Sequence, residues 1–184
     1  MNGTLRVVGG SWRNRRLAVA PGSRPTSERA REALFDILGE WIRGRRVLEL
    51  FAGSGAVALE ALSRGAASAA AVDRDPRAAS ANAGALGAAL EVIGADAAAA
   101  VRRLASSGRA FDLVFVDPPY GEETVSAAGV ASLVGSEGRM IWQSDAGEEP
   151  AAPPGWRVAR VARYGRNVFT FLERESPRTF LERE

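Results

Sequence analysis

The chain has 184 residues, 46% hydrophobic and 25% charged, a balance that suits one globular domain around a single core. It has no cysteine and no histidine, which excludes disulfides, thiolate metal sites and any nucleophilic triad built on an imidazole. No apolar run is long enough to span a bilayer, and Met1 to Gly10 lack the apolar core of a secretory signal, so a cytoplasmic location is expected. The net charge of +2 is unevenly spread: Arg6, Arg13, Arg15, Arg16, Arg24, Arg29, Arg31, Arg43, Arg45 and Arg46 face only Glu28, Glu32, Asp36 and Glu40. That clustering suits a polyanionic partner such as nucleic acid.

Leu5 to Trp12 and Arg13 to Val19 read as two short strands around a Gly9-Gly10 turn. The prolines and glycine of 21–25 make a loop, after which the hydroxyl of Thr26 or Ser27 can cap a helix. Ala30, Leu34, Ile37, Leu38 and Trp41 give that helix an apolar face. From Val47 onward strands alternate with alanine-rich helices: strands at 47–50, 69–72, 91–93 and 111–116, and helices at 56–63, 76–90 and 97–106, the last capped by Asp96. This alternation predicts βαβ crossovers and a parallel sheet. A helix at 122–134, a strand at 139–143, a proline loop at 150–154 and a closing antiparallel hairpin of 156–163 with 167–173 complete the reading. Thr170 to Glu175 recurs as Thr179 to Glu184; six residues are too few for an architectural repeat, and 176–184 is set apart as an artefactual tail.

Two motifs carry chemistry. Glu49-Leu50-Phe51-Ala52-Gly53-Ser54-Gly55 sits between a strand and a helix, where glycines let the backbone approach a ligand. Asp73, 20 residues beyond Gly53, falls at the tip of the next strand and can accept ribose hydroxyls. Alone, this motif implies a nucleoside-containing cofactor without saying which, because Gly53 to Ala58 also satisfies a dinucleotide fingerprint.

The second motif, Asp117-Pro118-Pro119-Tyr120, directly follows an apolar strand and faces the ligand crevice at the carboxyl edge of the sheet. An exocyclic base amine is a weak nucleophile, since its lone pair is delocalised into the ring. The Asp117 carboxylate and the Pro118 carbonyl can accept its N–H groups, align it with an electrophilic methyl group and offset the charge that builds on nitrogen. Tyr120 offers a face on which an extruded base can stack.

With these residues the chain resembles the class I amino-methyltransferases, whose loop reads Asn/Asp-Pro-Pro-Tyr/Phe. From Leu5 to about Glu175 it resembles the RsmD family of 16S ribosomal RNA guanine-N2 methyltransferases. The resemblance is carried by Arg6 to Arg13 with Arg15 to Leu17, by Arg24 to Phe35, by Phe51 to Gly55, by Leu59 to Arg64 and by Val114 to Tyr120. It implies an α/β fold: a Rossmann-like, mostly parallel seven-stranded sheet ending in an antiparallel hairpin. A basic hairpin extension is expected at 1–22 and the methyltransferase domain at 23–175.

The implied cofactor is S-adenosyl-L-methionine, released as S-adenosyl-L-homocysteine, with no metal. Glu49, Phe51, Ala52, Gly53, Gly55, Asp73, Asp96 and Ala97 are expected around the cofactor, and Thr26 and Arg29 near its carboxylate end. Asp117, Pro118 and Tyr120 would act on the amine. Arg6, Trp12, Arg13, Arg15 and Arg16 would bind RNA, the partner being 16S rRNA in the small subunit or an assembly intermediate, with the enzyme acting as a monomer away from membranes. Other readings are an adenine-N6 or protein-glutamine methyltransferase, and an NAD-dependent oxidoreductase or non-catalytic nucleotide-binding module.

Overall fold

A computed structural model describes residues 5–19, 26–119, 125–145 and 150–175. A two-stranded hairpin, β1 (Leu5–Arg6) and β2 (Arg16–Leu17), precedes α1 (Glu28–Leu38), whose first turn is capped by the Ser27 hydroxyl accepting from the Ala30 N–H. Five strands then run parallel: β3 (Arg46–Leu50), β4 (Ser68–Asp73), β5 (Leu90–Gly94), β6 (Phe111–Val116) and β7 (Val134–Ser144). β8 (Trp156–Tyr164) and β9 (Asn167–Arg174) close the sheet antiparallel, giving the order β5-β4-β3-β6-β7-β9-β8. This is the expected seven-stranded fold.

Side chains alternate across each strand. Leu48 and Leu50 pack with Val101 and Leu104 of α4 (Ala97–Ser106) and Val130 of α5 (Ala127–Ala131). Val47 faces the other layer, with Leu34 and Phe35 of α1 and Val57 and Ala61 of α2 (Ala56–Ser63). Among the described residues no helix is long and apolar enough to cross a membrane.

Three elements depart from expectation. α3 (Arg77–Leu86) stops four residues early because Gly87 turns left-handed, which frees Leu90 to begin β5. In place of a helix over 122–134 there is the five-residue α5, because Val134 is already paired with Phe111 at the start of β7. Residues 120–124, which span the start of that expected helix, and the tail 176–184 lie outside the described residues.

The third departure is at Gly9-Gly10, which is less a strand turn than a docking point. Leu5, Val7 and Leu17 pack on Ala56 and Leu59 of α2 and Leu86 of α3. The Ser63 hydroxyl donates to the Gly9 carbonyl at 2.6 Å and accepts the Trp12 N–H at 2.9 Å, while Glu60 accepts the Val8 N–H at 2.8 Å. A Cβ on Gly10, whose φ is +73°, would fall 1.9 Å from the Ser63 carbonyl oxygen. Gly10→Ala should therefore loosen the hairpin from α2. Urea unfolding should show a loss of at least about 1–3 kcal/mol, typical of a side chain forced into this backbone region; wild-type stability would contradict the contact.

Candidate active site

β3 and β6 are adjacent at the middle of the sheet, where the strand order reverses direction, so the loops that leave their carboxyl ends open side by side. Leu50 is level with Val116, which sets the glycine turn beside Asp117. The two loops line one cavity of about 470 Å³, with Asp73 from β4 and Ala97 from α4 completing the wall.

The turn is held in a strained form. Phe51 has φ of +60°, a conformation that costs a residue with a Cβ roughly 1–3 kcal/mol and concentrates at functional sites. The Ala52 N–H reaches the Val72 carbonyl at 2.9 Å, and the Gly53 N–H donates to Asp73 Oδ2 at 2.7 Å. At Gly53 a Cβ would meet no protein atom within 4 Å, so the backbone borders open space. Asp73 Oδ1 accepts the Asp75 N–H at 2.8 Å, leaving each carboxylate oxygen lone-pair capacity for hydroxyl donors.

Glu49 faces the α2 layer and is buried, accepting the Val57 and Ala58 N–H groups at 3.4 and 2.8 Å. It closes the start of α2, whose first N–H groups have no partner within the helix. Burial pushes its carboxyl up to about 8, against the pull of those hydrogen bonds.

Asp117 is pushed up to about 7, chiefly by desolvation. The Thr26 hydroxyl, 3.4 Å from its Oδ2, pulls the other way, and the Asp145 carboxylate pushes it further up. The ionised form is the stronger acceptor and the one that opposes positive charge on the amine, and it is lost as pH falls through about 7. For the free enzyme, kcat/KM should therefore rise with pH through about 7 to a plateau; a flat profile across the neutral range would contradict Asp117 as the acceptor.

Of the expected site residues, Thr26, Glu49, Phe51, Ala52, Gly53, Asp73, Ala97, Asp117 and Pro118 line this cavity. Gly55 lies just behind it, packed on Ala79. Asp96 caps α4 through the Ala99 N–H and pairs with Arg74 at 2.7 Å; it is Arg74, unforeseen from the sequence, that lines the wall. Arg29 lines a neighbouring cavity instead, and Tyr120 lies outside the described residues.

Arg6, Arg13, Arg15 and Arg16 are exposed, whereas Trp12 is half-buried against the hairpin's apolar patch. Arg31, counted with the basic cluster, is wholly buried. Its guanidinium lies 3.8 Å from Glu60 and donates to the carbonyls of Arg6 and Thr26, so it stitches hairpin, α1 and α2 together and offers nothing to a phosphate. Arg46 is likewise engaged, by Asp112 at 2.9 Å.

The family described as conserved hypothetical protein 95 matches residues 5–173. "Ribosomal RNA small subunit methyltransferase D" of Escherichia coli K12 is 36% identical over 187 residues, covering 95% of this chain and 92% of the relative. The chain belongs to the RsmD-like methyltransferase family. Among solved structures, a putative methyltransferase, yhhF, of Escherichia coli superposes with a TM-score of 0.80 at 34% identity, over 95% of this chain and 100% of that one. A hypothetical protein of Thermus thermophilus superposes equally well, at 0.80 and 31% identity, over 92% and 99%. The strained glycine turn and the Asp117 loop of this RsmD-like chain thus sit in a scaffold shared over nearly its full length.

Proposed function

We propose that this RsmD-like protein transfers a methyl group from S-adenosyl-L-methionine to the exocyclic N2 amine of a guanine in 16S ribosomal RNA, releasing S-adenosyl-L-homocysteine. The observation that carries the reading is that Asp117 and the Gly53 turn open into one cavity. The printed name of the Escherichia coli relative supports the choice of small-subunit RNA.

The residues present fit the cofactor: open space at Gly53 for a ligand pressed against backbone, and Asp73 at a strand tip with spare lone pairs for a ribose. Bound there, S-adenosylmethionine supplies an electrophilic methyl group. Asp117 and the Pro118 carbonyl accept the N–H groups of the incoming amine and orient its nitrogen toward the glycine turn. Thr26 steadies the Asp117 carboxylate, with its own hydroxyl 2.9 Å from Gln143 Oε1. As positive charge develops on the amine nitrogen the carboxylate opposes it, and the surplus proton leaves through Asp117 or solvent. No step calls for a metal ion. Tyr120 is proposed as the stacking face for the base, Asp96 as the acceptor for the adenine amine, and Arg6, Arg13, Arg15 and Arg16 as peripheral phosphate contacts. A ribosomal RNA substrate implies work in the cytoplasm, and one copy of the chain supplies every proposed site residue.

A thermal-shift titration tests the cofactor assignment. S-adenosylhomocysteine should raise the melting temperature in a saturable way and NAD should not; stabilisation by NAD alone would overturn the reading.

A further inference from the structure

Beyond Thr26 and Gln143 lies a second cavity of about 550 Å³, walled by the start of α1, the end of β7 and the β8–β9 turn. The Thr26 hydroxyl, bonded to Gln143 and close to Asp117, sits where the two spaces adjoin. Val116 is level with Trp142, so Asp117 comes level with Gln143. Side chains alternate along an extended chain, so Asp145, two residues past Gln143, shares its side of the sheet about 6–7 Å further on. Asp145 is half-buried and lines the second cavity. It is near enough to Asp117 for its charge to disfavour ionisation there.

The geometry points to this second cavity as the seat of the target nucleotide, with Asp145 accepting the N1–H of guanine while Asp117 holds the adjacent N2 amine. The inference rests on the methyltransfer reading above. Guanine presents N1–H and N2–H side by side as donors, which is what two carboxylates from neighbouring strands can accept together. Adenine carries an acceptor at N1, and its lone pair would face the Asp145 carboxylate. Asp145 is thus a specificity-determining residue, one that makes the wrong base unfavourable as well as the right one favourable.

The rim fits the rest of the nucleotide. Arg29, Arg163 and Arg166 are exposed around the cavity with the half-buried Tyr164 between them, a combination suited to phosphates and a flanking base. The amino-terminal hairpin, in contrast, docks at Ser63, the last residue of α2, a helix length of about 12 Å from the glycine turn. Nucleotides beside the target therefore meet the β8–β9 turn, and the hairpin arginines meet more distant phosphates.

The decisive probe is an RNA in which the methylated guanine is replaced by 2-aminopurine, which keeps the exocyclic 2-amine but has an acceptor at N1. Wild-type enzyme should favour guanine by about 10²-fold or more in kcat/KM. Asp145→Ala and Asp145→Asn should reduce that preference to less than about tenfold, while S-adenosylhomocysteine still stabilises both variants as it does wild type, which reports an intact fold. Retention of the full guanine preference by either variant, or its absence in wild type, would overturn the assignment of Asp145. Failure of wild type to methylate any guanine N2 would instead overturn the reading on which it rests.

Discussion

Replacing Asp117 by alanine should lower the methylation rate by about 10²–10³-fold or more while S-adenosylhomocysteine affinity stays within a few-fold of wild type. The split follows from the geometry. Asp117, at the end of β6, adjoins Thr26 and Gln143, whereas the Gly53 N–H is held by Asp73 at the end of β4, on the far side of β3. Its carboxylate meets the amine, whose charge changes most on the way to the transition state, and so its loss falls on turnover. Asp117→Asn, which keeps the shape and removes the charge, should be nearly as impaired. Single-turnover rates at saturating RNA, with calorimetric titration of S-adenosylhomocysteine, separate the two effects; a rate loss under about tenfold for Asp117→Ala would contradict the mechanism.

Arg31→Met should destabilise the fold by about 3–5 kcal/mol, the usual cost of removing one partner from a buried ion pair. Arg31 and Glu60 are both wholly buried, and Arg31 also donates to two backbone carbonyls, one in β1 and one at Thr26. Its loss leaves those carbonyls without a donor and leaves Glu60 with only Arg64 and the Val8 N–H. Because Thr26 sits in the catalytic wall, the variant should also lose activity in proportion to the loosening of the hairpin. Arg13→Ala, on the exposed turn, should change stability by less than about 0.5 kcal/mol. Urea unfolding of both variants checks this; an Arg31→Met cost below about 1 kcal/mol would contradict the stitching role.

The α/β framework was legible because its signals are local. Gly55 and Asp96 mark the starts of α2 and α4, and the apolar run Leu113 to Val116 marks the interior of β6, so these boundaries agree with the structure. Where a boundary depends on pairing with a distant strand, the reading overran: Val134 carries no local mark of its partnership with Phe111, and the helix expected there shrinks to five residues. Gly87, equally local, was overlooked as a helix stop.

The cofactor side of the site was legible for the same reason, since a glycine turn and a strand-tip aspartate each announce themselves. Arg31 was not, because whether an arginine is a surface charge or a buried clamp depends on Glu60, 29 residues away and on another helix. Gln143 and Asp145 were missed as well. They become site residues only once β7 is seen to lie beside β6 and bring them level with Asp117, although a polar pair ending a strand at the carboxyl edge of a parallel sheet was a usable signal.

The central claim is tested most directly by incubating the protein with isotopically labelled S-adenosylmethionine and small-subunit ribosomal particles, then digesting the 16S RNA to nucleosides and identifying the labelled one by mass spectrometry. The expected result is label in N2-methylguanosine, lost with Asp117→Ala. Label in N6-methyladenosine or in protein, or no label in RNA under conditions where S-adenosylhomocysteine binds, would contradict it.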